Sequence, residues 1–256
     1  MRYITAYASD VGIKKETNQD AILIKKAKTD QGEVLFTVIC DGMGGLEKGE
    51  VASREVIERF GKWFHEELPQ MLYEGFAEQT LWKRWKELVL EENERIGAYG
   101  RKNGVNLGTT LTAFFVVEEQ YYVVHVGDSR IYELSDTLYQ ITEDQTLVAR
   151  EIAAGRLKEE QAETDPRKSV LLQCIGASKI VEPVFYKGKV KENATYMLCS
   201  DGLRHVCTPS EMWKSFCFEA NSDEKTMKQN ILTFIEMLKQ RKEKDNISCI
   251  LIKTIR

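Results

Sequence analysis

The sequence predicts an α+β domain in which antiparallel β-sheets are flanked by helices. Two observations support this class. Short apolar runs bounded by turn residues come in groups instead of alternating one by one with helices, which argues against a doubly wound parallel sheet. In addition, consecutive runs between residues 109 and 141 are joined by short links, as in antiparallel pairing.

The predicted strands share β-branched and aromatic residues and end at Gly, Asp or Asn. They cover residues 2–8, 21–25, 34–40, 109–117, 121–126, 129–134, 195–199 and 247–252. Their spacing along the whole chain gives no point at which a linker divides it. We therefore expect a single domain over residues 1–256.

Apolar residues at helical spacing predict long helices at 50–68, 76–98 and 223–241. The stripes are rich in aromatic residues, such as Phe60 and Trp85, and are expected to face the core.

Residues 143–180 differ from the rest, because they are charged and poor in strand patterns. One short helix is expected at about 145–154, with Thr142 and Gln145 at the spacing of a capping box. A long segment of this kind inside a compact domain is either disordered or a functional lid, and we favour the lid.

Composition excludes several classes of protein. The net charge of −4 gives no basic footprint for nucleic acid or for an anionic membrane. Apolar runs fall short of the ~18 residues that a membrane span needs. The six cysteines form no CxxC pair, and Cys40 sits in an apolar run, where a thiol acts as a small hydrophobe. A soluble, cytoplasmic protein is the expectation.

Aspartates recur where apolar runs begin or end. They are Asp20, Asp41, Asp128, Asp201 and Asp245. A single Asp-Gly pair is ordinary turn chemistry. Five such aspartates at strand ends are expected to meet, and clustered carboxylates repel one another unless a cation lies between them.

The nature of that cation follows from the ligands available. The chain has three histidines, none paired at ligand spacing, and no cysteine cluster, which disfavours zinc. Carboxylate, carbonyl and water oxygens suit Mg²⁺ or Mn²⁺. Two such ions ~4 Å apart activate a bridging water, and sites of this kind act mainly on phosphate esters.

Seven segments together resemble one family, the metal-dependent serine/threonine protein phosphatases of type 2C, in their compact bacterial form. They are GIKKETNQD (12–20), DGMGGLEKGEVAS (41–53), GTTLTAFF (108–115), HVGDSRIYEL (125–134), ITEDQTLV (141–148), SDGL (200–203) and DNISCILI (245–252). The resemblance extends over essentially the whole chain. It implies a central β-sandwich of two antiparallel sheets with helices on both sides, a flap at about 143–180, and a metal cleft at one end of the sandwich.

The resemblance also implies roles for individual residues. Asp41 would bridge two Mn²⁺ or Mg²⁺ ions, and Gly42 would offer its carbonyl to one of them. Asp201 and Asp245 would complete the coordination of the other ion. Asp128 with Asp201 would hold a third, looser ion, and Asp20 would act through a bound water. Lys15 stands where the family usually has an arginine that binds the substrate phosphate. Lysine keeps the charge but loses the bidentate fork, so weaker phosphate binding is expected.

The function implied is hydrolysis of phosphoserine and phosphothreonine in proteins by a metal-bridging water, without a phosphoenzyme. The partners are then phosphorylated proteins, made by an opposing Ser/Thr kinase, and the protein is expected to be monomeric. Two alternatives remain: a pseudophosphatase that binds phosphoproteins without turnover, and a phosphatase for small metabolites. In this scheme Gly44 and Gly45 let the chain turn without side chains that would crowd the phosphate. His125 lies in a predicted strand and is expected to be a buried structural residue and not a catalytic one.

Overall fold

The computed structural model of the protein describes residues 1–30, 32–43, 48–162 and 164–256. Two five-stranded sheets pack face to face, and helices cover the outer side of each. Every strand pair within the sheets is antiparallel. The predicted sandwich with helices on both sides is confirmed.

The first sheet has the order β1-β10-β9-β6-β7 and the second the order β2-β3-β4-β5-β8. The strands are β1 Arg2–Asp10, β2 Ala21–Thr29, β3 Gly32–Cys40, β4 Leu111–Val117, β5 Gln120–Val126, β6 Arg130–Leu134, β7 Leu138–Gln140, β8 Val184–Lys189, β9 Thr195–Cys199 and β10 Ile247–Ile255. The predicted strands all form, whereas β7 and β8 have no counterpart among the predictions.

The helices are α1 Gly49–Lys62, α2 Leu68–Tyr73, α3 Glu78–Asn103, α4 Leu147–Ala153, α5 Glu159–Ala162, α6 Pro209–Phe216 and α7 Glu224–Gln240. The three long predicted helices are present. The first is divided, because a π-helical segment at Trp63–Glu67 separates α1 from α2. Helix α6 was not predicted. In the described parts of the chain, no helix is long and apolar enough to cross a membrane.

Strand β3 shows why its sequence is apolar almost throughout. Leu35 and Ile39 lie in the core between the two sheets, whereas Phe36 and Val38 lie in the core between the second sheet and its helices. Successive side chains of a strand point to opposite faces, so a strand covered on both sides is apolar at every position. This burial anchors β3 along its length up to Asp41.

The core outside the second sheet is aromatic. Phe36 lies 5.1 Å from Trp63, and Trp63 lies 5.3 Å from Trp85 and 5.6 Å from Phe115, measured between ring centroids in edge-on arrangements. Such pairs add about 0.5–1.5 kcal/mol each beyond the area that they bury. The predicted aromatic stripes therefore do face the core.

The flap helix begins later than predicted. Thr146, not Thr142, caps α4 by accepting a hydrogen bond from the Ala149 amide. The hydroxyl of Thr142 instead accepts a hydrogen bond from the amide of Ile131, on strand β6. The capping-box prediction at Thr142 was wrong, because a contact distant in sequence uses that hydroxyl. As expected, the described residues of the segment 143–180 contribute no strand to either sheet.

Candidate metal centre

The five predicted aspartates lie together where strands of both sheets begin or end. Asp41 follows β3, Asp201 follows β9, and Asp245 precedes β10. The charges of all four other aspartates act on the Asp41 carboxyl. The structure thus brings together residues that are up to 225 positions apart in sequence (Asp20 and Asp245).

The backbone of Asp41 is held by a pair of threonines at the start of β4. The Asp41 amide donates to Oγ1 of Thr110 at 2.9 Å. The Asp41 carbonyl accepts from the Thr110 amide at 2.9 Å and from Oγ1 of Thr109 at 3.0 Å. These bonds fix the direction in which the Asp41 side chain leaves the strand.

Gly42 follows at a point where no side chain fits. A Cβ atom there would lie 2.5 Å from the carbonyl oxygen of Gly49 and 2.6 Å from that of Gln19. The Gly42 amide donates to the same Gln19 carbonyl at 3.1 Å. Glycine is thus required for the close approach of three chain segments beside Asp41. The predicted glycine turn at 44 and 45 lies outside the described residues.

Asn246 organises the centre, although sequence reasoning noticed it merely as the neighbour of Asp245. Its Oδ1 accepts from the Gln19 amide at 2.9 Å, and its Nδ2 donates to the carbonyls of Val11 and Thr17 at 2.9 and 3.2 Å. The loop that carries Lys15 is therefore fastened to the start of β10. In the sequence, the Asp245-Asn246 pair is the one sign of this role. The groups that Asn246 binds are distant in sequence, so the role itself could not be predicted.

Burial and mutual repulsion make the cluster unfavourable for negative charge. Burial raises the pKa of Asp41 well above its usual range, and the carboxylates of Asp20 and Asp201 raise it further. Burial likewise raises the pKa of Asp20 to about 7, against hydrogen bonds from Ser248 and Ser200. Oδ2 of Asp20 accepts from the Ser200 hydroxyl at 2.8 Å, whereas its Oδ1 is buried without a hydrogen-bond partner among the described residues.

Asp201 behaves differently because a histidine lies beside it. Burial opposes ionisation of Asp201, but the hydrogen bond and the charge of His205 outweigh it and lower the pKa of Asp201 to about 2. Nε2 of His205 lies 3.2 Å from Oδ2 of Asp201, and its Nδ1 lies 3.5 Å from Oε2 of Glu243. Although burial favours the neutral ring, these two carboxylates raise the pKa of His205 to about 9.

Lys15 lies on the solvent side of the cluster. Its Nζ is 2.9 Å from Oδ1 of Asp245, and the two side chains are 27% and 38% exposed. Burial lowers the pKa of Lys15, but Asp245, Asp41 and Asp201 together raise it above its usual value. The predicted phosphate-binding residue therefore lies at the centre and is paired with one of the predicted metal ligands.

Asp128 lies on the inner side, next to two arginines. Nη2 of Arg204 is 3.5 Å from Oδ2 of Asp128 and 3.4 Å from Oδ2 of Asp144. Arg130 donates to both oxygens of Asp144, each at 2.7 Å. Burial and Asp201 raise the pKa of Asp128 to about 7, while the Arg204 guanidinium opposes the rise. Neither arginine was singled out in the sequence.

The side chains fit a hard divalent cation in chemistry. The donors are the clustered carboxylate oxygens and the unsatisfied Oδ1 of Asp20. Within residues 1–30, 32–43, 48–162 and 164–256, however, no three His, Cys, Asp or Glu side chains converge in ligand geometry. Coordination by three of them therefore requires side-chain movement, which the half-exposed Asp245 allows.

Two residues near the centre are structural, as predicted. His125 is fully buried, its Nδ1 pairs with Oγ1 of Thr112 at 2.9 Å, and its Nε2 lies 3.1 Å from the carbonyl of Glu143. Burial lowers the pKa of His125 to about 4. Burial raises the pKa of the Cys40 thiol well above its usual value, so Cys40 is no nucleophile at neutral pH.

Comparison with known proteins gives a consistent result. The family model described as Protein phosphatase 2C matches residues 13–251. The serine/threonine phosphatase stp of Listeria monocytogenes serovar 1/2a is 30% identical over 251 residues, covering 96% of this chain and 94% of that protein.

Two solved structures have the same fold. The serine/threonine phosphatase of S. agalactiae superposes with a TM-score of 0.84 at 27% identity, over 99% of this chain and 100% of that chain. The catalytic domain of the phosphatase PstP, solved in complex with two manganese ions, gives a TM-score of 0.78 at 26% identity over the full length of both chains.

Proposed function

Because the chain belongs to the protein phosphatase 2C family of serine/threonine protein phosphatases, we propose that its acidic centre hydrolyses phosphoserine and phosphothreonine in proteins. Asp41, the Gly42 carbonyl, Asp201 and Asp245 would hold two Mn²⁺ or Mg²⁺ ions. The two manganese ions of the PstP catalytic domain support this number and type of ion. The opposing activity is that of a Ser/Thr kinase.

One observation supports this assignment above the others. Thr109 and Thr110 hold the backbone of Asp41, and its carboxyl is buried among four other carboxylates, which together with burial raise its pKa. Burial and like charges both disfavour the ionised form, and a bound cation would offset them. A purely structural turn has no need of such an arrangement.

The chain contributes position and charge to the reaction. Bound divalent ions supply a more acidic water and withdraw charge from the phosphoryl oxygens. Thr109 and Thr110 hold the backbone of Asp41, which would position its carboxylate to bind such an ion. Asp20, whose Oδ1 is free to accept, orients water beside the ligands.

Lys15 provides the positive charge for the phosphate. In the structure its ammonium binds Asp245, so binding of a phosphate by Lys15 and binding of a cation by Asp245 both replace this ion pair. Phosphoryl transfer builds charge on the equatorial oxygens, which an ammonium stabilises. A lysine does so as a point charge, with less control of orientation than an arginine.

The test is release of inorganic phosphate from a phosphothreonine peptide by the purified protein with Mn²⁺. Asp41→Asn is the matched control, since it keeps the size of the side chain and removes its charge. We expect Mn²⁺-dependent turnover in the wild type and a loss of about 100-fold or more in the variant.

Equal phosphate release by wild type and Asp41→Asn would contradict the assignment. Parallel assays with small phosphorylated metabolites separate the substrate classes. A higher kcat/KM for these than for phosphopeptides would instead support a metabolite phosphatase. Binding of phosphopeptide without any turnover would support a pseudophosphatase.

A further inference from the structure

Arg204 is a buried cation beside the centre that the proposed reaction does not use. It directly follows the 3-10 turn Asp201–Leu203, and its side chain is 15% exposed. Nη2 donates to the carbonyl of Asp128 at 3.0 Å and approaches the carboxylates of Asp128 and Asp144. Its Nε is buried without a hydrogen-bond partner among the described residues.

The guanidinium is fixed from the opposite side as well. Asp144 is bound through both oxygens by Arg130, and Nη1 of Arg130 also donates to the hydroxyl of Tyr132 at 2.8 Å. Arg204 thus lies in a network of four charged side chains: two guanidiniums, Arg130 and Arg204, and two carboxylates, Asp128 and Asp144. When both carboxylates are ionised, the two positive and two negative charges of the network cancel.

We propose that Arg204 is a permanent internal counter-ion in the place where the family resemblance implies a third divalent cation, at Asp128 and Asp201. The loaded protein then holds two divalent ions and not three. This inference rests on the proposed function, because it concerns the same acidic centre.

Distance and charge both disfavour a third ion beside Arg204. An ion ~2.2 Å from Oδ2 of Asp128 would lie at most about 6 Å from Nη2 of Arg204, given the 3.5 Å between those two atoms. The two cations would repel each other in a site where solvent screens little. An arginine does not lose its proton, so the protein cannot relieve the repulsion by deprotonation. The charge of Arg204 also reaches Asp201, the second predicted ligand.

The network also links the centre to the flap. Asp144 lies near the start of the segment 143–180, three residues before α4 begins at Leu147. Through Asp144, Arg204 ties the base of the flap to Asp128 whether or not metal is present. The position of the flap base is therefore independent of a loosely bound ion.

The test is the number of Mn²⁺ ions bound at saturation, measured by isothermal titration calorimetry and by equilibrium dialysis. The proteins are the wild type, Arg204→Ser, Arg204→Met and Arg204→Lys. We expect two ions in the wild type and three in the Ser and Met variants, which lose the charge. Arg204→Lys is the matched control and keeps two ions, because it keeps the charge.

The outcomes separate this inference from the proposed function. Three ions in the wild type would overturn the inference alone, and so would two ions in a folded Ser or Met variant. No bound Mn²⁺ in the wild type would overturn the proposed function and the inference with it. Near-UV circular dichroism reports whether each variant folds; if the Ser and Met variants both fail to fold, the wild-type number decides.

Discussion

Two cation–carboxylate pairs flank the acidic centre, and they differ in burial. Lys15 and Asp245 form a half-exposed pair on the solvent side, whereas Arg204 and Asp128 form a buried pair on the inner side. Among the described residues, the half-exposed lysine has one carboxylate within 4 Å, while the buried arginine has two. We infer that the two pairs serve different ends: the Lys15–Asp245 pair would open to admit metal and substrate, whereas the Arg204–Asp128 pair would stay closed.

The largest expected effect is on stability, from removal of the fixed counter-ion. Arg204→Ala leaves Asp128 buried beside Asp201 without its partner, which costs about 3 kcal/mol in the free energy of unfolding. We expect the midpoint of thermal unfolding to fall by roughly 6–12 °C, measured by calorimetry of the metal-free protein. Lys15→Ala is the comparison and should cost no more than ~1 kcal/mol, because solvent screens that pair. Equal losses of unfolding free energy in Arg204→Ala and Lys15→Ala would show that the two ion pairs do not differ in their contribution to stability.

The next effect comes from the carboxylate that the two arginines share. Asp144→Asn removes a charge to which Arg130 donates twice and which Arg204 approaches at 3.4 Å. The amide keeps the shape and one acceptor, so we expect a loss of about 2 kcal/mol in denaturant unfolding, less than for Arg204→Ala. A neutral result would show that Asp128 alone holds Arg204.

A smaller effect, in kinetics, is expected at the exchangeable counter-ion. Lys15→Met keeps the length of the side chain and removes its charge, so KM for a phosphothreonine peptide should rise about 10-fold, as expected for an exposed charge–phosphate contact. The assay is steady-state phosphate release at saturating Mn²⁺. An unchanged KM would show that Lys15 does not meet the phosphate.

The smallest effect is expected from Lys15→Arg, which restores the bidentate phosphate contact that a lysine cannot make. Lys15→Arg should lower KM for the same peptide by about 3-fold, since a guanidinium binds two phosphate oxygens at once. The variant should leave the unfolding midpoint within about 1 °C, because the pair with Asp245 is half-exposed. A KM that rises in this variant would argue that the site is shaped for the ammonium.

The sandwich and the acidic cluster could be predicted from the sequence because both depend on local patterns. Apolar runs ending at Asp41 and Asp201 mark strands that deliver carboxylates, and no distant contact is needed to see them. The prediction that the clustered aspartates meet was sound for the same reason, since strand ends of a sandwich share one edge.

Other features depend on contacts between distant residues and were missed. In the sequence, Arg204 and His205 are ordinary polar residues after the SDGL segment. The role of Arg204 depends on Asp128 and Asp144, and that of His205 on Glu243, all of which lie in other parts of the chain. In sequence Thr142 is the better cap, because Gln145 follows at capping-box spacing, whereas Thr146 has Ala149 at that position. The bond from Ile131 to Thr142 decides between them, and it belongs to the sheet.

The most direct test of the central claim is the position of manganese in a crystal of this protein grown with Mn²⁺. Anomalous scattering locates each ion without reference to activity. We expect two peaks, ligated by Asp41, the Gly42 carbonyl, Asp201 and Asp245, with the Arg204 guanidinium still beside Asp128. Absence of manganese at Asp41 would overturn the proposed function, and a peak bound to Asp128 would overturn the inference about Arg204.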